Sequence, residues 1–330
     1  MTRAQQVISG IGRFGGRFGS SFGPEALAMA ALLLLSVFLT ACQTSETLGT
    51  AAGDAKSHMV GGRKPHFSPL KPFKDSLFGY RAAISSRDNG EYLVVPYDEK
   101  LDINRRDEMP VRKVKPQYTR RLSANRIKDT VYAAPGGPQP LWIAGNSGAD
   151  AAMTVIYLHG KGGNRDWGFE DETFGGNFNR AKNLLAEAGG AWLSPDFTDF
   201  EAAGAADIAA LIRERKPLTR GKLVLACGSM GTKLCWRLVL DPQLSGMIGG
   251  LVLLGGFPEP RFPAGDRHIP VYIAHGSRDS VYAASAMDEM YDRLKSAGQP
   301  VRMTVFDTGN HGTPVRMIDW RMALNWIASN

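Results

Sequence analysis

The chain has 330 residues, 43% of them apolar and 22% charged, with a formal charge of +7 and a pI near 9.3. This composition excludes a disordered chain and suffices for one large hydrophobic core or two small ones. Three cysteines (Cys42, Cys227 and Cys235) are too few for a disulfide framework, and no Cys/His cluster has zinc spacing, so neither a metal nor another cofactor is expected.

Arg3, Arg13 and Arg17 precede a continuous apolar run from Ala26 to Leu39. The run is roughly 14 residues, short of the roughly 20 that a membrane-spanning helix needs. A basic flank, a short apolar core and small residues at its end make up a secretory signal. Leu39-Thr40-Ala41-Cys42 resembles the bacterial lipobox, which implies cleavage before Cys42 and diacylglyceryl attachment to its sulfur. Several acyl chains on one residue would hold the protein on a membrane, each buried methylene contributing about 0.8 kcal/mol. The next residue is Gln43, not the Asp that resembles an inner-membrane retention signal, so the expected address is the periplasmic face of the outer membrane of a bacterial cell envelope. Residues 1–41 are thus expected to be a signal peptide. Residues 42–80, polar at first and then broken by Gly61-Gly62, Pro65, Pro69 and Pro72, are expected to be a flexible tether, with a folded domain over 81–330.

Residues 91–96 read as a strand. The segment 100–128 carries ten cations, from Lys100 to Lys128. A charge run of this kind is usually a solvated face; the alternative is a surface resting on anionic headgroups near the anchor. The basic excess avoids residues 151–330, which carry 19 basic and 19 acidic side chains, whereas residues 42–150 carry 17 and 12 and residues 1–41 carry three and one. No zinc-finger, RNP-type or helix-turn-helix pattern accompanies it, so nucleic acid is not an expected partner. Residues 130–134 and 140–144, on either side of Pro135-Gly136-Gly137-Pro138, read as a hairpin.

From residue 153 short apolar runs alternate with segments of helical length. The runs are 153–158, 191–194, 222–226, 250–254, 271–274 and 301–306; the helices are expected near 178–188, 202–216, 230–240, 284–297 and 313–328. Continuous apolar strands separated by helices imply a mostly parallel twisted sheet covered on both faces, with its active residues beyond the carboxyl ends of the strands.

Three motifs sit at such ends: Cys227-Gly228-Ser229-Met230-Gly231, His275-Gly276-Ser277-Arg278-Asp279, and Gly309-Asn310-His311-Gly312. Their chain order is Ser, Asp, His. With Tyr157-Leu158-His159-Gly160-Lys161-Gly162-Gly163 after the first strand, they resemble the α/β-hydrolase superfamily over about residues 130–330. The resemblance implies an α/β-hydrolase fold with Ser229 as nucleophile, His311 as base and Asp279 as the orienting acid, Asp307 being a rival for that last role. It also implies an oxyanion hole from the backbone N–H groups of Lys161 and Met230, and a bracing rather than catalytic role for His159. The family pattern Gly-x-Ser-x-Gly is broken here by Cys227 in the first glycine position. Cys227 and Cys235 are expected to be buried free thiols.

About 16 residues separate the strands at 250–254 and 271–274, too few for the lid domain of many relatives. Trp167 and Phe169, in the loop 162–179, are candidate substrate contacts, although such a loop can equally pack on its own aromatics. The expected activity is that of a lipid-anchored serine hydrolase acting on small-molecule or lipid carboxylic esters. Two alternatives stand beside it. One is a serine peptidase or acyltransferase with the same triad; the other is a non-catalytic envelope-binding lipoprotein on a hydrolase fold. Oligomeric state has no signature in the sequence.

Overall fold

The computed structural model describes residues 69–263 and 268–330. The chain divides into two units, Met1–Val60 and Gly61–Asn330, and every described residue belongs to the second. The expected signal peptide, Cys42 and most of the expected tether therefore lie outside the described residues.

The strands are β1 (Ser85–Arg87), β2 (Tyr92–Pro96), β3 (Asp107–Glu108), β4 (Lys113–Val114), β5 (Ile127–Tyr132), β6 (Gln139–Gly145), β7 (Thr154–Leu158), β8 (Ala191–Pro195), β9 (Leu223–Gly228), β10 (Gly250–Leu254), β11 (Val271–Gly276) and β12 (Val301–Asp307). The helices are α1 (Asp75–Phe78), α2 (Asn177–Glu187), α3 (Ala202–Arg215), α4 (Gly231–Leu240), α5 (Pro242–Ser245), α6 (Ala284–Ser296), α7 (Thr313–Met317) and α8 (Trp320–Ser329). Ten strands form one sheet in the order β1-β2-β12-β11-β10-β9-β7-β8-β6-β5, while β3 and β4 pair as a separate hairpin. From β2 to β8 the neighbours run parallel; β1, β6 and β5 run antiparallel at the edges.

The alternation of side chains along each central strand feeds two cores. Ile156, Leu158, Leu225 and Cys227 face one side, where α3, α4 and α6 contribute Leu211, Leu234 and Tyr291. Val155, Tyr157, Val224 and Ala226 face the other, where α2 and α8 contribute Phe178, Leu184 and Trp320. Every residue of β7, β8, β9, β10 and β11 is buried, which is why these segments read as unbroken apolar runs rather than alternating ones. This is the α/β-hydrolase fold. Among the described residues, nothing between β10 and β11 forms a helix or strand, and no helix is long and apolar enough to cross a membrane.

Four expectations need correction. The helix expected over 313–328 is two helices. Ile318 leaves helical geometry, and the Asp319 carboxylate caps α8 by accepting from the amides of Arg321 and Met322. Residues 69–80, expected to be part of the tether, are packed on the fold. Leu70 and Phe78 are buried, and Asn325 of α8 brackets the backbone of Leu70. The basic stretch is not simply a solvated face. The Arg106 guanidinium is buried over the Phe78 ring, and Arg112, Lys113 and Arg120 pair with Glu99, Glu172 and Glu187. Apolar burial at Ile103 and Val114 draws this segment onto the domain, and the carboxylates of neighbouring loops compensate its cations. Cys227 and Cys235 are not free thiols: they form a disulfide, with Cα atoms 6.5 Å apart.

Arg180 on α2 ties the N-terminal segment to the fold. Its fully buried guanidinium donates to Asp319 at 2.9 Å, to Asp75 at 2.8 Å and to the carbonyl of Phe73 at 2.9 Å. Removing one partner of a buried pair leaves a desolvated charge behind. Arg180→Met is expected to lose about 3–5 kcal/mol of unfolding free energy by urea denaturation. A loss under about 1 kcal/mol, typical of exposed pairs, would show that these carboxylates do not depend on Arg180.

Candidate active site

Ser229 follows the last residue of β9, and Met230 alone separates it from the start of α4. Its backbone takes a left-handed conformation, with φ +50°, which a side-chain-bearing residue adopts only under constraint. The constraint is visible. The Ser229 amide donates to the carbonyl of Leu254 at 2.9 Å, and the Ser229 carbonyl accepts from Thr232 at 3.0 Å. Gly231 sits flush on the loop after β7, where a Cβ would come within 2.4 Å of the Leu158 carbonyl oxygen. No residue but glycine fits there, so the second glycine of the motif is a packing requirement. The turn lifts Ser229 to a partly exposed position at the carboxyl edge of the sheet.

His311 arrives on the loop after β12, and Asp279 on the loop after β11. The two loops are stitched by Ser277 N–H to the Phe306 carbonyl at 2.9 Å and Arg278 N–H to the Gly309 carbonyl at 2.8 Å. The Asp279 side chain is fully buried, and its Oδ2 lies 2.8 Å from His311 Nδ1. On the other side of the ring, Nε2 lies 2.8 Å from Ser229 Oγ. Burial works to raise the Asp279 carboxyl, but the His311 hydrogen bond and the amides of Tyr282 and Val281 outweigh it and hold the group below the usual aspartate value. An ionised carboxylate only accepts, so Nδ1–H is the donor; Nε2 is then the acceptor, and Ser229 Oγ–H donates to it. Asp307 is not the partner of His311: it ends β12 in register with Pro96 of β2.

A second histidine meets the same carboxylate. His275 is fully buried at the end of β11, with Nε2 3.5 Å from Asp279 Oδ2. Its Nε2–H donates to the Tyr282 carbonyl at 2.9 Å, which fixes the turn that presents Asp279. The sequence offered His275 only as part of a strand ending. The signal that it braces the acid is spatial, since residues 275, 279 and 282 close a turn on themselves.

The loop after β7 passes directly over the serine. A Cβ on Gly160 would lie 3.0 Å from the Ser229 Cβ, so the Lys161 amide follows a residue already in contact with Ser229. The Met230 amide leads into α4, where the first amides of a helix have no intrahelical acceptor. His159 is buried, stacks on Phe197 at 4.4 Å and donates from Nδ1 to the Gly160 carbonyl at 2.9 Å, bracing this loop. Of the two candidate substrate contacts, Trp167 lines a cavity of about 410 Å³ together with Val111, Arg112, Asn164, Phe174 and Arg316. Phe169 does not line it; its ring is stacked on Trp142 at 4.7 Å. Phe174, in the same loop, lines it as well. Among the described residues, no group of three or more His, Cys, Asp or Glu side chains is placed to hold a metal ion.

Burial pushes the imidazoles of His159 and His275 below the ordinary histidine value. Both stay neutral in the fold at pH values where the unfolded chain, titrating near 6.5, binds protons. Unfolding therefore takes up protons as pH falls from about 7 to about 5, and stability declines through that window. A further loss is expected below about pH 4, where the unfolded Asp279 protonates before the folded one. Urea denaturation in steps from pH 8 to pH 4 checks this. His275→Gln, which keeps a donor for Tyr282, is expected to flatten the upper window by about one proton; an unchanged slope would mean that His275 titrates normally in the fold.

The chain matches no protein-family model and no curated protein sequence. Among solved structures it is similar to a lidless α/β serine hydrolase from Xanthomonas campestris, with 19% identity, 64% of this chain and 97% of that one covered, and a TM-score of 0.45. It is also similar to an esterase from Pyrococcus furiosus, at 16% identity, 64% and 96% coverage and a TM-score of 0.46. An α/β serine hydrolase homologue from Coxiella burnetii aligns at 17% identity over 62% of this chain and 98% of that one, with a TM-score of 0.44.

Proposed function

We propose that this protein is a lipid-anchored serine hydrolase that cleaves carboxylic esters through an acyl-enzyme. The observation that carries the proposal is the continuous run of hydrogen bonds from Asp279 through His311 to Ser229, each 2.8 Å long, at the carboxyl edge of the sheet. In the proposed reaction His311 Nε2 takes the hydroxyl proton as Ser229 Oγ attacks the ester carbonyl. The buried Asp279 carboxylate stabilises the imidazolium that forms, and the N–H groups of Lys161 and Met230 receive the developing oxyanion. His311 then returns the proton to the departing alcohol. Water repeats the sequence on the Ser229 ester and releases the acid. The cavity beside Trp167 would take part of the substrate, and the absence of a helix or strand between β10 and β11 among the described residues is consistent with open access.

The anchor is proposed on the lipobox-like Leu39–Cys42 segment. The disulfide between Cys227 and Cys235 supports an exported protein, because such bonds persist in oxidising compartments and are rare in reducing ones.

Ser229→Ala is expected to abolish both fluorophosphonate labelling and hydrolysis of p-nitrophenyl esters, with the fold retained by circular dichroism. Asp279→Asn is expected to lower kcat by about 10³–10⁴, because the histidine would be held in the wrong tautomer. A folded wild-type protein that takes no label would leave the non-catalytic alternative. A preference for peptide amides over esters across a substrate panel would assign a peptidase. For the anchor, Cys42→Ser is expected to move the protein from the membrane fraction to a soluble or unprocessed form; unchanged retention would count against lipidation.

A further inference from the structure

We infer that the cavity beside Trp167 is an anion-recognising subsite, in which Arg112 and Arg316 select esters that carry a carboxylate or phosphate at the end of a short apolar stem. As a selector of esters it rests on Ser229 being the nucleophile of the proposed reaction.

Two of the loops that build the candidate active site continue into this cavity. After β7, Gly160 packs against Ser229, and the Gly163 amide donates back to the Gly160 carbonyl at 3.1 Å. A Cβ on Gly163 would lie 2.7 Å from the Trp167 ring, so the indole rests on the same loop that covers the serine. After β12 the chain passes from His311 into α7, and Arg316 is the fourth residue of that helix. The tip of the β3–β4 hairpin supplies Val111 and Arg112. Trp167 meets Phe174 edge to face at 5.7 Å, and the Arg316 guanidinium lies 5.7 Å from the Phe174 ring centre. The cavity thus sets guanidinium groups beside an aromatic wall, and its volume of about 410 Å³ is that of a small-molecule site.

The cations here share their partners. Arg112 meets Glu99 at 2.8 Å. Arg316 and the buried Arg106 divide one carboxylate, Asp107, at 3.3 and 3.7 Å. Lys113 and Arg121 divide Glu172, at 3.5 and 3.9 Å. Two further carboxylates line the cavity but have other neighbours: Asp166 accepts from Trp142 Nε1 at 2.8 Å, and Glu170 lies in the field of Lys182. Burial, and then the charge of Arg112, push the Arg316 guanidinium below its ordinary value. Like charges held beside an apolar wall favour an anion between them. Hydrogen bonding points the same way. Arg112 Nε–H and the Thr173 hydroxyl are shielded from solvent and have no hydrogen-bond partner among the described residues. Donors left unmet cost free energy that an anionic oxygen would recover and a purely apolar ester would not. Guanidinium groups suit carboxylate and phosphate, which accept two N–H groups at once. Arg112 and Phe174 also hold left-handed backbones, with φ +58° and +50°, as Ser229 does, and such strain collects at ligand contacts.

The test compares matched esters on the full-length protein. One arm uses p-nitrophenyl hemiesters of glutaric, adipic and suberic acid, each against its methyl-capped neutral counterpart. The other uses the acetate ester of hydroxyhexyl phosphate against hexyl acetate. In at least one arm kcat/KM is expected to favour the anionic member by about 10- to 100-fold, the range of one or two charge-assisted hydrogen bonds. Equal or lower kcat/KM for the anionic member in both arms would overturn the inference. Arg112→Met is expected to remove most of this preference. Arg316→Lys, which keeps the charge but not the planar fork, is expected to remove less of it, and spares the pairing with Asp107 that Arg316→Met would break. Lys128→Met changes an exposed cation on β5 and is expected to leave the preference as it is; an equal loss there would show an effect of bulk charge and overturn the inference. A readout independent of turnover is calorimetric binding to Ser229→Ala. Monomethyl adipate or hexyl phosphate is expected to bind at least about tenfold more tightly than dimethyl adipate, and to lose that advantage in Arg112→Met/Ser229→Ala. If the wild-type protein neither hydrolyses any ester nor takes fluorophosphonate but this anion binding is seen, the hydrolase proposal fails and the anion site stands. If neutral esters are turned over and neither anion binds more tightly, the anion site fails and the hydrolase proposal stands.

Discussion

Everything at the carboxyl edge of this sheet depends on one turn. Ser229 occupies a backbone conformation unfavourable for any residue with a side chain, and it stays there because its surroundings permit nothing else. Gly231 is pressed against the loop after β7, the Ser229 amide is taken by Leu254, and the disulfide ties the strand before the turn to the helix after it. A turn so sharp places the hydroxyl beyond the strand end, where the loops after β11 and β12 can reach it. The central parallel strands, buried on both faces, are the rigid frame that makes this strain sustainable.

The electrostatics of the site follow from what surrounds one carboxylate. Asp279 is buried, which by itself would favour its neutral form, yet it receives hydrogen bonds from His311 and from two backbone amides. That set holds it charged, and a charged Asp279 decides the tautomer of His311 and hence the direction of the Ser229 hydrogen bond. His275 contributes from the far side by staying neutral and holding the Tyr282 carbonyl. The two histidines near Asp279 thus have different tasks: the partly exposed one faces the serine and the buried one shapes the turn.

The peripheral segments show where charge patterns mislead. Ten cations between residues 100 and 128 read as a solvated face, yet Arg106 is buried in an aromatic and glycine-lined niche and several others are matched by Glu99, Glu172 and Glu187. Those partners lie up to about seventy positions away, beyond the reach of any local pattern. The same holds at the N-terminal side. Pro69 and Pro72 read as tether, but Arg180 and Asn325, both remote in the chain, supply the contacts that fix this segment.

Pattern along the chain was enough for the sheet, for the succession of helices behind it, and for the order of serine, aspartate and histidine at three strand ends. These are legible because burial on both faces leaves continuous apolar runs, and because sharp turns demand glycine at set spacings. Packing across the fold settled which carboxylate meets His311, that Phe169 stacks on Trp142 while Phe174 lines the cavity, that α7 and α8 are separate, and that Cys227 and Cys235 are bonded. Each of these depends on the direction of a side chain across a gap between elements, and direction is set by packing against residues far away in the chain, not by neighbours along it.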